Sequence, residues 1–212
     1  ARDGGSFTTR RVVAIQNGRQ IFNMAASFQI EEPSWSHQHK MKDVKGPDGV
    51  LNRNEQRKLI VEKIPEKRRA NFLNPKPIEI RDVDPPDLFE PKPAPDKNFL
   101  WFKVDGTLDT KDQWVHHCFL AYASDVSLLG SGNRPHGISA YSGDVMLASL
   151  DHAMWFHHKL NFNDWHLYEM DSPFSGGARS LNRGKVFTQD GTLIASVTQE
   201  GLMRPTKKHT NT

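Results

Sequence analysis

The amino-acid sequence predicts an α+β protein in which an antiparallel sheet wraps around a single helix. The first reason is the order of elements, because the proline-rich middle of the chain is followed by one helical segment and then a series of strand-like runs. This order is typical of α+β folds. The second reason is two turn signals, Asn17-Gly18 and Asp190-Gly191, each of which separates two strand-like runs. Both dipeptides predict type I′ hairpins.

The rear part of the chain supplies the helix and most of the strands. Residues 98–104, N-F-L-W-F-K-V, form its first predicted strand. A helix is predicted over 107–130, because Thr110 and Gln113 have the spacing of a capping box and Gly130 suits a C-terminal cap. Further strands are predicted near residues 145–157, 164–172, 178–189 and 192–203.

The front of the chain resembles the end of the rear part. Identical residues recur at a constant offset, with Gly4, Arg10, Val13, Gln16, Gly18 and Ile21 matching Gly177, Arg183, Val186, Gln189, Gly191 and Ile194. The match, with its shared turn, indicates two copies of one antiparallel unit. Because the front copy has no helix, we expect the chain to be an N-terminally truncated piece of a longer protein.

Composition along the chain predicts its division into parts. Eight of the 13 prolines lie between Pro65 and Pro95, and each proline removes a backbone donor, so this segment is predicted to be extended. A short charged helix is predicted before it, over 54–64. The predicted parts are the C-terminal strands of a first unit, a proline-rich connector, a complete second unit and a tail, at 1–30, 31–97, 98–205 and 206–212.

Charge and composition argue against several classes of protein. The net charge is +3, and 28 basic residues are interspersed with 25 acidic ones, so nucleic acid is not expected as a partner. No run of about 18 apolar residues is present, so neither a membrane-spanning helix nor a membrane partner is predicted. The single cysteine, Cys118, offers no internal disulfide framework, which favours a reducing, cytoplasmic setting.

Asp125 is the first candidate functional residue, because it interrupts the apolar face of the predicted helix. At about 100° per residue, Asp125 lies near the middle of this face, while His116 and His117 lie outside it and are expected to face solvent. The face is formed by Trp114, Cys118, Tyr122 and Leu129. A buried carboxylate is costly unless it is paired. Asp125 therefore either binds a reactant or belongs to a last turn that has left the core.

Gln199 is the second candidate, at the end of an apolar strand face. Alternate residues of a strand share a face, and Leu193, Ala195 and Val197 precede Gln199 on this one. In the front copy the equivalent residue is Ala26. One interpretation is a site carried by the rear copy alone, and the other is a strand-end amide in contact with water.

Residues 148–158, A-S-L-D-H-A-M-W-F-H-H, allow three interpretations: a nucleophilic serine, a metal site, or a strand whose polar side chains face water. Neighbouring residues of a strand point to opposite faces, so adjacent histidines converge on one metal only at a bend. No G-x-S-x-G elbow surrounds Ser149. The nucleophile and metal interpretations are therefore the weaker two, and no metal is predicted.

Several motifs in this sequence are recognisable together: S-L-D-H-A-M-W-F-H, F-N-D-W-H-L-Y, G-x-V-F-T-Q-D-G-T-L-I-A-S and Q-E-G-L-M-R. With the front segment F-T-T-R-R-V-V-A-I-Q-N-G-R-Q-I-F-N-M-A-A-S-F-Q, they resemble acyl-CoA thioesterase II, the double-hotdog thioesterases. The match extends over essentially the whole chain, except that about half of the first hotdog is absent. The chain also lacks the S-K-L peroxisomal address of some members, and so looks more like a bacterial one.

This resemblance implies a fold, a substrate and a set of site residues. The implied fold is a double hotdog whose first hotdog is incomplete, and the implied substrate is an acyl-CoA. By position in the matching motifs, Asp125, Ser149 and Gln199 hold the hydrolytic water. No cofactor is implied, and association of double hotdogs implies a homo-oligomer. The CoA-binding residues are not assigned.

Two other functions stay open on the same fold. One is a non-catalytic acyl-CoA-binding protein. The other is an enoyl-thioester hydratase or dehydratase, for which Asp151 and His152 would supply the acid/base pair.

Overall fold

A computed structural model describes residues 2–206, so residues 207–212 of the predicted tail lie outside the described part. The chain divides into two compact units, Ala1–Gln38 and His39–Thr212. Within the described residues, none of the helices has the length and apolar character that crossing a membrane requires.

The first unit is a three-stranded antiparallel sheet of order β1-β2-β3. Its strands are β1 (Arg2–Asp3), β2 (Phe7–Gln16) and β3 (Arg19–Gln29). Asn17 and Gly18 have φ angles of 51° and 73°, as a type I′ turn requires, so the predicted front hairpin is confirmed. No side chain among residues 2–38 is buried, so this unit is held by its backbone ladder rather than by a core.

The second unit begins with short helices and an edge strand. Two α-helices, α1 (Arg53–Ile60) and α2 (Glu66–Leu73), are separated by a 3₁₀ turn at Val61–Lys63. Asn52 and Glu55 cap α1 with a complete capping box. Strand β4 (Ile78–Asp82) follows, and residues 83–97 contain no helix or strand, as their prolines predict.

The remaining elements form the main sheet and its helix. They are β5 (Asn98–Val104), α3 (Gln113–Asp125), α4 (Gly130–Asn133), β6 (Val145–Ser149), β7 (Ala153–Phe156), β8 (His166–Gly176), β9 (Arg179–Thr188) and β10 (Leu193–Pro205). The sheet is antiparallel throughout, in the order β4-β5-β8-β9-β10-β6, with β7 also paired to β10. Leu120 and Ala123 of α3 pack into the apolar core that this sheet supplies. The predicted α+β class is confirmed.

The outer face of the sheet has a second, smaller core. Trp101, Leu167 and Phe187 are buried there, and Met41 and Val44 pack against them. The indole nitrogen of Trp101 donates a hydrogen bond to the carbonyl of Lys45 at 2.9 Å. The segment after residue 38 therefore covers this face, although the sequence placed it in a connector.

The predicted apolar face of α3 is wrong. Trp114 is 68% exposed and Tyr122 47% exposed, whereas His116 is 3% exposed and lies on the buried face with Leu120. Both ring nitrogens of His116 have partners, the carbonyl of Thr110 at 3.0 Å and the backbone N–H of Phe162 at 3.1 Å. A histidine whose hydrogen bonds are satisfied can be buried at little cost. The predicted solvent exposure of His116 is therefore also wrong.

Helix α3 is shorter at both ends than the sequence predicts. Gln113 makes no capping box with Thr110, because its amide exchanges two hydrogen bonds with the backbone of Leu160, at 3.0 and 3.1 Å. At the other end, the last helical residue is Asp125, followed by the C-cap Val126, rather than Gly130. Ser127, next in the chain, has a left-handed φ of 70°.

Two predicted strand features also differ. The strand predicted at 145–157 is broken at residues 150–152, which separate β6 from β7. The rear hairpin is not type I′, because Gly191 has a positive φ of 93° but Asp190 does not. Thr188 accepts a hydrogen bond from the Gly191 N–H at 3.0 Å, which gives a longer loop than the front copy has.

His166 is a fully buried titratable residue in this core. Its ring stacks on Phe102 and Phe162, at centroid distances of 6.1 and 5.8 Å. Burial lowers the pKa of His166 from 6.5 to about 4, although Asp164 acts in the opposite direction. The folded protein therefore holds this imidazole neutral at pH values where the unfolded chain protonates it.

We expect His166 to make the protein acid-sensitive. Because the pKa in the folded state is depressed, this residue lowers the free energy of unfolding as the pH falls from about 6.5 to about 4, by about 3 kcal/mol in total. Denaturant unfolding at several pH values should show a shallower acid decline for His166→Phe than for the wild type. The exposed His158→Phe variant is the control. Parallel pH curves for wild type and His166→Phe would contradict the assignment.

Candidate active site

Asp125, Ser149 and Gln199 are brought together in the second unit. Asp125 is the last residue of α3, Ser149 the last of β6, and Gln199 lies within β10. The Gln199 amide nitrogen donates a hydrogen bond to Asp125 Oδ1 at 2.6 Å. The Ser149 hydroxyl donates to the same oxygen at 3.3 Å. A carboxylate, a hydroxyl and an amide therefore form one cluster.

The register of β6 on β10 explains why Ser149 and Gln199 meet. Ser149 lies directly opposite Gly201, and opposed residues of an antiparallel pair share a face. Gln199 is two residues from Gly201 and so projects on that face too. Gly201 has no side chain, and Leu129 takes the space, since a Cβ there would lie 2.3 Å from Leu129 Cδ2.

The three side chains differ in their exposure. Gln199 is 1% exposed, whereas Asp125 and Ser149 are open to solvent. A carboxylate oxygen only accepts hydrogen bonds, so the amide nitrogen of Gln199 must be the group that faces it. Both bonds end on Oδ1 of Asp125. The two hydrogen bonds therefore fix the orientation of the Asp125 carboxylate.

The residue before Asp125 anchors this end of the helix. The Tyr168 hydroxyl on β8 donates a hydrogen bond to the carbonyl of Ser124 at 2.7 Å. The Ser124 hydroxyl donates to the carbonyl of Ala121 at 2.8 Å and lies 2.9 Å from Nε2 of His152. Because a hydroxyl carries one hydrogen, His152 Nε2 is the donor in that contact.

Burial shifts the pKa values of His152 and Tyr168, the two side chains that contact Ser124. It lowers the pKa of His152, against the opposing effect of Asp125 and Asp151, so a neutral ring is favoured. Burial also raises the pKa of Tyr168 well above its usual value, so that the hydroxyl keeps its proton and donates. Tyr168 has room only because Gly184 faces it, since a Cβ on Gly184 would lie 2.2 Å from the tyrosine ring.

The other polar residues of 148–158 form separate contacts. Asp151 Oδ1 accepts a hydrogen bond from the backbone N–H of Glu200 at 2.7 Å. His157 pairs through Nε2 with the hydroxyl of Ser196 at 2.8 Å. Among residues 2–206, no three or more His, Cys, Asp or Glu side chains are arranged to hold a metal ion. The hydroxyl of Ser149 donates to a carboxylate rather than to a histidine.

Sequence reasoning missed the residues that support the site. Tyr168 lies in β8, a strand of mixed apolar and polar residues, and gives no signal of its own. Gly184 does give one, because a glycine inside a strand marks a close approach of another group. Ser124 precedes the candidate carboxylate but reads as an ordinary helical residue.

Comparisons with known proteins bear on this site. The family model for acyl-CoA thioesterase matches residues 76–202, which include all three clustered residues. The chain belongs to the acyl-CoA thioesterase family. It is 34% identical over 205 residues to "Acyl-CoA thioesterase 2" of Haemophilus influenzae, covering 96% of this chain and 71% of that protein.

Two further relatives of this family agree. The chain is 37% identical over 210 residues to mouse "Acyl-coenzyme A thioesterase 8", covering 96% of this chain but 65% of that protein's length. It is also similar to the crystal structure of acyl-CoA thioesterase II TesB2 from Mycobacterium marinum. That likeness has a TM-score of 0.77 at 40% identity and covers 98% of this chain and 72% of that one. The predicted hotdog fold and thioesterase II resemblance are confirmed.

We expect the Tyr168→Phe variant to be less stable than the wild type. Removing the hydroxyl leaves the buried carbonyl of Ser124 without this donor, which should lower the free energy of unfolding by about 1–3 kcal/mol. Denaturant titration measures the change. Tyr122→Phe, at an exposed position of α3, is the matched control for the loss of a tyrosine hydroxyl. Equal decreases in the free energy of unfolding of the two variants would show that the hydrogen bond between Tyr168 and Ser124 makes no specific contribution to stability.

Proposed function

We propose that this protein hydrolyses acyl-CoA thioesters to free fatty acid and CoA, using a water molecule activated by Asp125. The observation that carries the proposal is the convergence of the Asp125, Ser149 and Gln199 side chains on one side of α3. The names of the relatives in this family support the substrate class. The resemblance implies that the three residues hold the hydrolytic water together, and the contacts of Ser149 and Gln199 with the Asp125 carboxylate support a shared site.

The chemistry follows from these groups. Asp125 takes a proton from water as general base, and the water oxygen attacks the thioester carbonyl carbon. The C–S bond then breaks, and the proton passes from Asp125 to the departing CoA sulfur. Ser149 and Gln199 bind Oδ1 and so hold the carboxylate in one orientation. No serine nucleophile is needed, because a thioester reacts with an oriented water directly.

The hydratase alternative requires an acid/base pair that these contacts do not favour. Asp151 is engaged with the backbone of Glu200, and Nε2 of His152 with the hydroxyl of Ser124. Neither contact joins Asp151 to His152. The acyl-CoA-binding alternative differs from hydrolysis in one measurable respect, the release of free thiol.

Several sequence-based expectations remain part of this proposal. They are the division of the chain at residues 30, 97 and 205, a cytoplasmic location and a role in fatty acid metabolism. The absence of nucleic-acid or membrane partners and association into a homo-oligomer also belong here. Cys118 is exposed as a free thiol, which suits a reducing compartment.

We expect Asp125→Asn to abolish hydrolysis without unfolding the protein. The amide is isosteric but cannot accept a proton, so kcat should fall by about 10²–10⁴-fold. The measurement follows free thiol from a panel of acyl-CoAs of different chain length, together with the absorbance of the enoyl group. Thermal unfolding of the variant is the control for folding. Wild-type turnover in Asp125→Asn, or a change in enoyl absorbance without thiol release, would refute the proposal.

A pair of substitutions at Ser149 tests the role of its hydroxyl. Ser149→Ala loses one hydrogen bond to the base, and we expect kcat to fall about tenfold, the equivalent of roughly 1.4 kcal/mol. Ser149→Thr keeps the hydroxyl and should retain most activity. The same thiol-release assay compares the two variants. An alanine variant as active as the threonine variant would remove Ser149 from the catalytic set.

A further inference from the structure

A pocket lined by basic residues lies beside helix α3, and none of the proposed catalytic residues lines it. It has an open space of about 420 Å³. Its lining combines one end of α1, strand β4 and helix α3, through Asn52, Arg53, Asn54, Arg57, Lys76, Ile78, Ile80, Tyr122 and Val126. Apolar side chains from β4 and α3 are thus bordered by amides and three basic groups.

The charge of this pocket is positive. Arg53 is neutralised by Asp82, which it binds through Nε at 2.7 Å and through a second nitrogen. Neither Arg57 nor Lys76 forms an ion pair with any acidic side chain among residues 2–206. Two cations therefore remain for an anionic ligand.

Arg57 is held in place rather than free to move. Its guanidinium lies 5.2 Å from the centre of the Phe72 ring and donates a hydrogen bond to the carbonyl of Phe72 at 3.2 Å. Burial and the nearby charge of Arg53 lower the pKa of Arg57. A fixed, partly desolvated guanidinium favours a phosphate group, which offers several acceptor oxygens.

The position of the pocket relates it to the proposed catalytic carboxylate. At about 100° per residue, Tyr122 lies about 60° around α3 from Asp125, and Val126 follows Asp125 directly in the chain. Arg53 also donates a hydrogen bond to the hydroxyl of Ser127 at 2.8 Å, two residues beyond Asp125. A helix with its side chains is about 10–12 Å across. The extended pantetheine arm of CoA is longer than this width.

We propose that the pocket binds the phosphate groups at the nucleotide end of CoA, with Arg57 and Lys76 as the ligand-binding cations. This inference rests on the proposed function, because it assigns a second part of the same substrate. The thioester would lie at Asp125, and the pantetheine arm would cross the C-terminal end of α3. Ile78 and Ile80 would contact the apolar parts of the arm or the adenine.

The test compares two thioesters that carry the same acyl group, one on CoA and one on N-acetylcysteamine, which has no phosphate. In the Arg57→Gln/Lys76→Ala variant, kcat/KM for the acyl-CoA should fall at least tenfold, mainly through KM. Hydrolysis of the N-acetylcysteamine thioester should be unchanged. Lys58→Ala, an exposed lysine of α1 that does not line the pocket, is the matched control.

Several results would overturn the proposal. Unchanged kcat/KM for acyl-CoA would remove the pocket from substrate binding, and an equal loss with both thioesters would show a structural effect. If the double variant unfolds, the single Lys76→Glu variant, at an exposed position, serves instead and should give the same contrast.

Calorimetric titrations of CoA and of inorganic phosphate distinguish the source of the anion. CoA should bind the wild type, and its affinity should fall in the variant. Inorganic phosphate that binds as tightly as CoA would indicate a free-anion site and overturn the proposal. If neither thioester is hydrolysed by the wild type, the proposed function fails, but the loss of CoA binding in the variant still decides the role of the pocket.

Discussion

The arrangement of the second unit depends on how the last turn of α3 is fixed to the sheet. A helix end exposes backbone carbonyls that have no partner within the helix. One of these, the carbonyl of Ser124, accepts its hydrogen bond from Tyr168 in the middle of the sheet. Gly184 makes the space that the tyrosine ring requires. Asp125 follows immediately, so its carboxylate starts from a backbone position set by β8 and β9, while its partners come from β6 and β10.

Gln199 belongs both to the packed core and to the candidate site. The apolar face of β10 is part of the core through Ala195 and Val197 and ends in the buried amide of Gln199. A buried amide needs a partner, and the exposed end of α3 supplies a carboxylate. The same hydrogen bond therefore gives the buried amide nitrogen a partner and orients the Asp125 carboxylate, whereas the amide oxygen of Gln199 has no partner among the described residues. A substitution at Gln199 would disturb both at once.

The sequence was informative about strands and about the residue types of the site, but not about which helix face is buried. Strand-like runs correctly located β5, β8, β9 and β10, and Asn17-Gly18 correctly predicted the front turn. Hydropathy predicted the wrong buried face of α3, because it considers how apolar each side chain is and ignores hydrogen-bond partners. His116 is buried because both of its ring nitrogens are satisfied, and Trp114 is exposed despite its size. The roles of Tyr168 and Ser124 arise only from long-range contacts, which no local pattern contains.

The hydrogen bonds of the Asp125 carboxylate also restrict its rotation. Gln199 and Ser149 both bind Oδ1, so a rotation of the carboxylate about its Cβ–Cγ bond would break both contacts. The orientation of the proposed base is therefore set by side chains from two neighbouring strands, β6 and β10. A group that is preorganised in this way avoids the reorganisation that water would undergo around a free carboxylate.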